Sequence, residues 1–212
     1  MKTITIASAK GGSGKSTLTS ALAVRACQAS LKTAMLDLNF DQGSLTDWYN
    51  LRRRGALSPM PYLDAAELPL ADRLAALAPS YDLAIIDTPP VEMPAIDEAI
   101  ALADFVLAPV RSGFFDLAAA QAITSMCRRH GKPFSFVVNC ADAKHAIVLK
   151  QVITALKGLQ WPLLGAQIKY RQAWIQALAV GKTGAEISRD TRPEIDDLWA
   201  ELQQQLNLEA KQ

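Results

Sequence analysis

A glycine-rich segment near the N-terminus has the residue types that bind a polyphosphate. Residues 10–17 read KGGSGKST, between an apolar, β-branched run and a segment with helical spacing. The glycines let backbone N–H groups converge on phosphate oxygens, and a helix that starts at Ser16 points its positive end at them. Lys15 would neutralise the β- and γ-phosphates, while the Ser16 hydroxyl would bind Mg²⁺. The segment therefore predicts a loop that holds ATP and Mg²⁺.

The alternation of apolar runs and helical segments predicts the fold that positions this loop. Strands are expected at residues 3–9, 33–38, 83–87, 105–109, 134–139 and 163–168, with helices at 16–30, 45–53, 95–103, 116–130 and 147–159. Runs that are apolar on both faces and alternate with helices form a mostly parallel sheet covered on both sides. The prediction is one domain over residues 1–212 with the doubly wound α/β fold of P-loop NTPases, in which residues 57–69 form a long surface loop.

Ligands bind beyond the carboxyl ends of the strands in a sheet of this kind. Four polar residues fall at such ends: Lys10, Asp37, Asp87 and Arg111. They are therefore expected to lie close together.

The glycine-rich loop resembles the variant phosphate loop of the ParA/MinD family of deviant Walker A ATPases, KGGxGK[ST]T, at every defined position. Residues 42–48, QGSLTDW, are similar to the QxSLTxW run of the small ParA-type partition ATPases in that family. The resemblance implies that Lys10 reaches across an ATP-sandwich homodimer to the phosphates bound by the partner subunit. Such a second cation would stabilise the charge that develops on the γ-phosphate. It also implies slow ATP hydrolysis that a partner protein stimulates.

Two switch segments are implied by the same resemblance. Asp87, in the motif IIDTPP, matches the family's Walker B aspartate and is expected to hold a Mg²⁺-bound water. The first switch, DxDPQ in the family, reads DLNFDQG here and begins at Asp37, which is also assigned to the Mg²⁺ water shell. The second family aspartate meets Asn39 without a gap and Asp41 with one inserted residue. The continuation QGSLTDW fits only with the insertion, so Asp41 is predicted to position the attacking water. An Asn39 alignment would imply slow hydrolysis, because an amide cannot accept the proton.

Two further positions have alternative interpretations. Asn139 ends the run VVN, where its amide could match the donor and acceptor of an adenine edge or serve as a buried cap. Asp116 matches an acidic family position in LAPVRSGFFDL and could equally cap the next helix.

The candidate residues form three overlapping sets. The predicted nucleotide-binding residues are Lys10, Gly11, Gly12, Ser13, Gly14, Lys15, Ser16, Thr17 and Asn139. The predicted catalytic residues are Lys10, Lys15, Asp41 and Asp87, and the predicted metal ligands are Ser16, Asp37 and Asp87.

Basic residues are concentrated in one stretch of a nearly neutral chain. The net charge is +1, yet residues 128–182 contain nine lysines and arginines against one aspartate, Asp142. Clustered cations without an aromatic platform suit salt-sensitive, nonspecific contacts with DNA phosphates, although they could be ordinary solvated helix faces. The arginine run at residues 52–54 could meet DNA or an acidic partner, and a solvated helix end is the favoured interpretation. The DNA-binding candidates are Lys150, Lys157, Lys169 and Arg171.

Cysteine usage and hydropathy narrow the class of protein. The three cysteines lie far apart, unlike zinc or iron–sulfur ligands, and neither a signal peptide nor an apolar span of roughly 18 residues is present. A cytoplasmic, nucleoid-associated protein is predicted, which partitions a plasmid, chromosome or other cargo with a ParB-like or other adaptor that stimulates hydrolysis. The alternative is a MinD-like or regulatory ATPase that positions a complex at the membrane or cell pole without binding DNA.

The C-terminal helix argues against a membrane partner. Acidic residues, among them Glu194 and Glu201, surround its apolar stripe, so anionic lipid would repel it. This helix is expected to pack on the sheet instead.

Overall fold

The computed structural model of the chain describes residues 1–39, 43–91, 93–111, 116–142 and 145–208, apart from the side chain of Asp116. The strands in these residues form one seven-stranded sheet in which every neighbouring pair is parallel. They are β1 (Lys2–Ile6), β2 (Thr33–Asp37), β3 (Tyr62–Asp64), β4 (Leu83–Asp87), β5 (Phe105–Val110), β6 (Phe134–Ala141) and β7 (Leu163–Lys169). The order is β3-β2-β4-β1-β5-β6-β7, so the glycine-rich loop leaves the sheet from its central strand.

Helices cover both faces of this sheet. They are α1 (Lys15–Gln28), α2 (Ser44–Arg54), α3 (Leu70–Leu77), α4 (Met93–Ala101), α5 (Asp116–Arg129), α6 (Ala146–Gly158), α7 (Gln172–Leu178), α8 (Gly184–Ile187) and α9 (Arg192–Leu206). One face packs with α1, α2, α7 and α9, and the other packs with α3, α4, α5 and α6. The central strands therefore bury side chains on both sides, which explains their unbroken apolar sequence.

The doubly wound α/β fold is confirmed, and the differences from prediction lie mainly at the sheet edges. Residues 57–69, predicted to be a loop, contain the three-residue edge strand β3, which pairs with β2. Prolines on both sides of β3 conceal so short a strand in the sequence. Strand β7, at the other edge, buries only alternate residues. Helix α3 was not predicted, because eight residues give too little periodic pattern.

The register of the strands brings the polar residues to one edge of the sheet. Asp37 on β2 and Asp87 on β4 are directly paired, and Ile6, just before the loop, pairs with Asp87 from the other side. Strand β5 pairs with β1 on the side away from β4, so Arg111, directly after β5, lies beside the loop. Asn139 lies on β6, the next strand in the sheet. These positions are those expected for a parallel sheet with a ligand site at its carboxyl edge.

The arginine run at the end of α2 differs from its prediction. Arg53 and Arg54 are exposed, as a solvated helix end requires, but the Arg52 side chain is completely buried and bonded to Glu186. The prediction was therefore wrong for Arg52, which belongs to the interior between α2 and the α7–α8 region.

The C-terminal helix packs on the sheet, as predicted. Ile195, Leu198 and Leu202 are buried against residues of α1 and β7. Among the described residues, no helix is both long enough and apolar enough to cross a membrane.

Candidate functional site

The glycine-rich loop joins β1 to α1 through two left-handed residues. Gly12 has φ +70° and Gly14 has φ +88°, a region that side chains with a Cβ rarely occupy. Gly14 precedes α1 directly, so the first N–H groups of that helix face the loop without intrahelical partners. The local sequence therefore builds an anion-binding turn at the start of a helix.

Lys15 is folded into this loop and almost completely buried. Its Nζ donates two long hydrogen bonds, to the Ser8 carbonyl at 3.5 Å and to the Lys10 carbonyl at 3.4 Å. Burial lowers the pKa of the Lys15 ammonium, and the nearby Asp87 carboxylate opposes that shift. A buried ammonium with two weak acceptors is well suited to pair with an anion that enters the loop.

Asp87 is a completely buried carboxyl group on the neighbouring strand. Neither of its oxygens has a hydrogen-bond partner of good geometry among the described residues. Burial raises the pKa of Asp87 to about 7, and the Asp37 carboxylate adds to the rise, while the Ser16 hydroxyl and Lys15 favour the ionised form. An orphaned carboxylate of this kind is the feature that a bound cation would satisfy.

Asp37, by contrast, is held from two sides. Its Oδ1 accepts a hydrogen bond from the Asn39 N–H and its Oδ2 accepts one from the Thr46 hydroxyl, both at 2.9 Å. Thr46, in the first turn of α2, was not singled out from the sequence, because it lies nine residues from its partner. Asp41, predicted to position the attacking water, lies outside the described residues.

The predicted metal ligands fit Mg²⁺ in type and placement. The described residues contain no group of three or more His, Cys, Asp or Glu side chains that could hold a metal by themselves. Magnesium sites built from one or two carboxylates, a hydroxyl and substrate phosphates do not need such a group. Ser16 is part of the loop, and Asp37 and Asp87 are paired on the strands beside it. Because neither oxygen of Asp87 is bonded with good geometry among the described residues, this carboxylate is available to bind the ion or its water shell.

Two cavities flank the loop. The first, of about 430 Å³, lies between the loop and α2 and is lined by residues 12–17 with Asn39, Ser44, Asp47, Trp48, Leu51, Pro90 and Leu178. The second, of about 330 Å³, adjoins Gly12, Gly14 and Thr17 and is bounded by side chains from the ends of β5, β6 and β7 and from α7. Together they provide a phosphate-sized space and an adjoining space with apolar walls.

Asn139 lies in the second cavity and contacts the loop itself. Its Nδ2 donates to the Ser13 carbonyl at 2.6 Å, and its Oδ1 accepts from the Cys140 N–H at 3.0 Å. One N–H and one lone pair of the amide are left, so the adenine-reading role stays a prediction. Arg111, which the sequence placed only at a strand end, donates to the Gly12 carbonyl at 3.0 Å.

The predicted DNA-binding residues are divided between two environments. Lys150 and Lys157 are exposed on α6, and Lys169 is exposed at the end of β7. Arg171 is only partly exposed, and it pairs with Glu194 at 2.9 Å and Asp190 at 3.5 Å. Lys169 and Arg171 border the second cavity together, whereas the two lysines of α6 do not. The DNA-binding assignment remains a prediction for all four residues.

The sequence and fold match known nucleotide-binding proteins. The family model described as the CobQ/CobB/MinD/ParA nucleotide binding domain matches residues 4–183. The chain is 24% identical over 210 residues to the maintenance of carboxysome distribution protein A of Halothiobacillus neapolitanus, covering 94% of this chain and 95% of that protein.

Two solved structures show the same fold. One is a proposed plasmid partition protein of Borrelia burgdorferi bound to AMPPNP, with a TM-score of 0.77, 19% identity, and coverage of 96% and 98% of the two chains. The other is the septum site-determining protein MinD of Pyrococcus horikoshii with Mg-ADP, with a TM-score of 0.77, 16% identity, and coverage of 95% of each chain.

Proposed function

Because the chain belongs to the CobQ/CobB/MinD/ParA family of nucleotide-binding domains, we propose that it is a ParA-type ATPase that positions DNA or another cargo. ATP and Mg²⁺ bind at the loop of residues 10–17, and two subunits close around two nucleotides. The observation that carries the proposal is the buried pair at the loop, in which the Lys15 ammonium lies near the Asp87 carboxylate. Among the described residues, neither oxygen of that carboxylate has a hydrogen-bond partner of good geometry. These groups suit a phosphate and a cation, respectively.

Each residue of the site has a distinct task in this scheme. Lys15 neutralises the β- and γ-phosphates, and Ser16, Asp37 and Asp87 hold the metal and its water shell. Bound Mg²⁺ would withdraw charge from the phosphate oxygens. Lys10 acts on the nucleotide of the partner subunit, where a second cation stabilises the charge that develops during hydrolysis.

The nucleotide state would control attachment to DNA. Dimerisation doubles the number of exposed lysines on one particle, and phosphate contacts gain strongly from such clustering. Lys150, Lys157 and Lys169 are the exposed candidates, while Arg171 is held by Glu194. A ParB-like or other adaptor would stimulate hydrolysis and release, so the protein would work in the cytoplasm on the nucleoid. The names of the relatives, which refer to carboxysome distribution and plasmid partition, support a role in distributing cargo.

A gel-shift assay with duplex DNA of random sequence tests the switch. Retention is expected with a nonhydrolysable ATP analogue and not with ADP, and it should weaken steeply with added salt. The double variant Lys150→Gln, Lys157→Gln should lose retention but still bind the nucleotide. Identical retention in both nucleotide states would contradict the switch. No retention in either state, together with nucleotide-dependent binding to anionic vesicles, would favour the MinD-like alternative.

A further inference from the structure

Two side chains from neighbouring strands hold consecutive carbonyl groups of the phosphate loop. Arg111, directly after β5, donates from Nη1 to the Gly12 carbonyl oxygen, and Asn139 on β6 donates from Nδ2 to the Ser13 carbonyl oxygen. Both side chains border the second cavity. Neither lies among the residues that line the first cavity, between the loop and α2.

These two bonds determine where the adjoining N–H groups point. In a planar trans peptide, the carbonyl and the N–H that follows it point in opposite directions. The Ser13 N–H and the Gly14 N–H are therefore turned away from Arg111 and Asn139. Within the described part of the chain, neither N–H has a hydrogen-bond partner. The Ser13 hydroxyl is also buried without a partner. Unpaired donors that converge beside a helix N-terminus form an anion-binding concavity.

The contact between Asn139 and the loop is close and fixed. The residue is 3% exposed, and its Oδ1 is held by the Cys140 N–H, which sets the orientation of the amide. A Cβ on Gly14 would lie 2.2 Å from Asn139 Nδ2, so this approach requires glycine in the loop. The loop conformation is thus supported from outside, through side chains that do not themselves line the first cavity.

We propose that Arg111 and Asn139 are positioning residues, which hold the loop N–H groups in their phosphate-facing orientation before the nucleotide binds. The inference rests on the proposed function, since it requires the loop to bind a polyphosphate. It gives Asn139 a role that does not depend on any contact with the adenine base. Loss of either bond allows the loop peptides to rotate. The affinity for a polyphosphate without a base therefore falls by the same factor as the affinity for ATP.

Calorimetric titration with Mg²⁺-tripolyphosphate, which has no base, and with Mg²⁺-ATP tests the proposal. Asn139→Ala removes the bond to the Ser13 carbonyl. Arg111→Gln removes the guanidinium that bonds the Gly12 carbonyl, together with its positive charge. Arg111→Lys keeps the positive charge but also lacks the guanidinium. Arg192→Gln, an exposed arginine on α9, is the matched control. Asn139→Ala and both Arg111 variants are expected to bind both ligands about tenfold more weakly, as for loss of one charge-assisted or buried hydrogen bond. The control should match the wild type in both affinities. Asn139→Ala is also expected to lose about 1 kcal/mol of stability with its hydrogen bonds, so circular dichroism at the titration temperature checks that every variant is folded.

Three other outcomes would overturn the inference. If Asn139→Ala weakens ATP binding but leaves tripolyphosphate binding unchanged, Asn139 reads the base and does not brace the loop. If Arg111→Lys binds both ligands like the wild type, Arg111 acts through its charge alone. If the weakened variants are partly unfolded at the titration temperature, and an osmolyte that refolds them restores both affinities, the role is general stability. A wild-type protein that binds neither ligand would refute the proposed function itself, which is a separate result.

Discussion

Replacing Arg52 by methionine is expected to lower the free energy of unfolding by about 3–5 kcal/mol, the range found when one partner of a buried ion pair is removed. The Arg52 guanidinium donates to both carboxylate oxygens of Glu186 at 3.0 Å. It also donates to the Pro59 carbonyl at 2.7 and 2.9 Å and to the Gly181 carbonyl at 3.1 Å. Methionine fills much of the same volume, but it removes the guanidinium donors of the carboxylate and of both carbonyls. Of the bonds to Glu186, the one from the Thr183 N–H at 2.7 Å remains.

Urea unfolding of matched variants measures this effect. Arg53→Met changes the adjacent, exposed arginine and should alter stability by no more than about 0.5 kcal/mol. Arg52→Lys keeps the charge but cannot supply the fork of donors, so an intermediate loss is expected. Equal destabilisation by Arg52→Met and Arg53→Met would show that the buried network contributes nothing specific.

Replacing Asp87 by asparagine is expected to stabilise the protein in the absence of nucleotide and metal, and to do so only at higher pH. The pKa of this carboxyl is raised to about 7 from its ordinary value of 3.8. The folded state therefore holds a proton that the unfolded state has released, and stability falls as pH rises from about 4 to about 7. The ionised group would destabilise the fold by up to about 4 kcal/mol above that range. The amide removes this penalty, but none of the described residues is placed to bond it with good geometry, so a gain of about 2 kcal/mol is expected near pH 8.

Asp37→Asn is the matched control, because the same change is made on the paired strand position. Asp37 accepts two hydrogen bonds, so its replacement should destabilise by about 1 kcal/mol rather than stabilise. Denaturant unfolding in EDTA across a series of pH values measures both variants. The interpretation of Asp87 fails if Asp87→Asn has the same effect at about pH 4 as at about pH 8, where the pKa shift predicts a difference.

Local patterns in the sequence were sufficient to predict the fold and the position of the candidate site at the carboxyl edge of the sheet. Apolar runs of strand length marked the six longer strands, and the carboxyl-edge rule for parallel sheets placed Asp37 beside Asp87. The phosphate loop could be recognised from its glycines, because Gly12 and Gly14 occupy backbone conformations that few other residues adopt.

The remaining features depend on contacts between distant residues, which local patterns do not contain. Arg52 stands in a run of three arginines that predicts a solvated helix end, and its partner Glu186 is 134 residues away. Asn139 meets the Ser13 carbonyl across 126 residues, so the sequence could only offer an adenine contact or a cap as alternatives. Packing between α2 and the α7–α8 region determines the burial of Arg52. Packing between β6 and the loop determines the contact of Asn139.

The nucleotide-driven switch is tested most directly by the molar mass of the protein in solution, measured by light scattering with Mg²⁺ and either a nonhydrolysable ATP analogue or ADP. A dimer with the ATP analogue and a monomer with ADP are expected, and Lys15→Ala should remain monomeric with both nucleotides. The same mass in both nucleotide states, in a protein that binds both nucleotides, would contradict the switch.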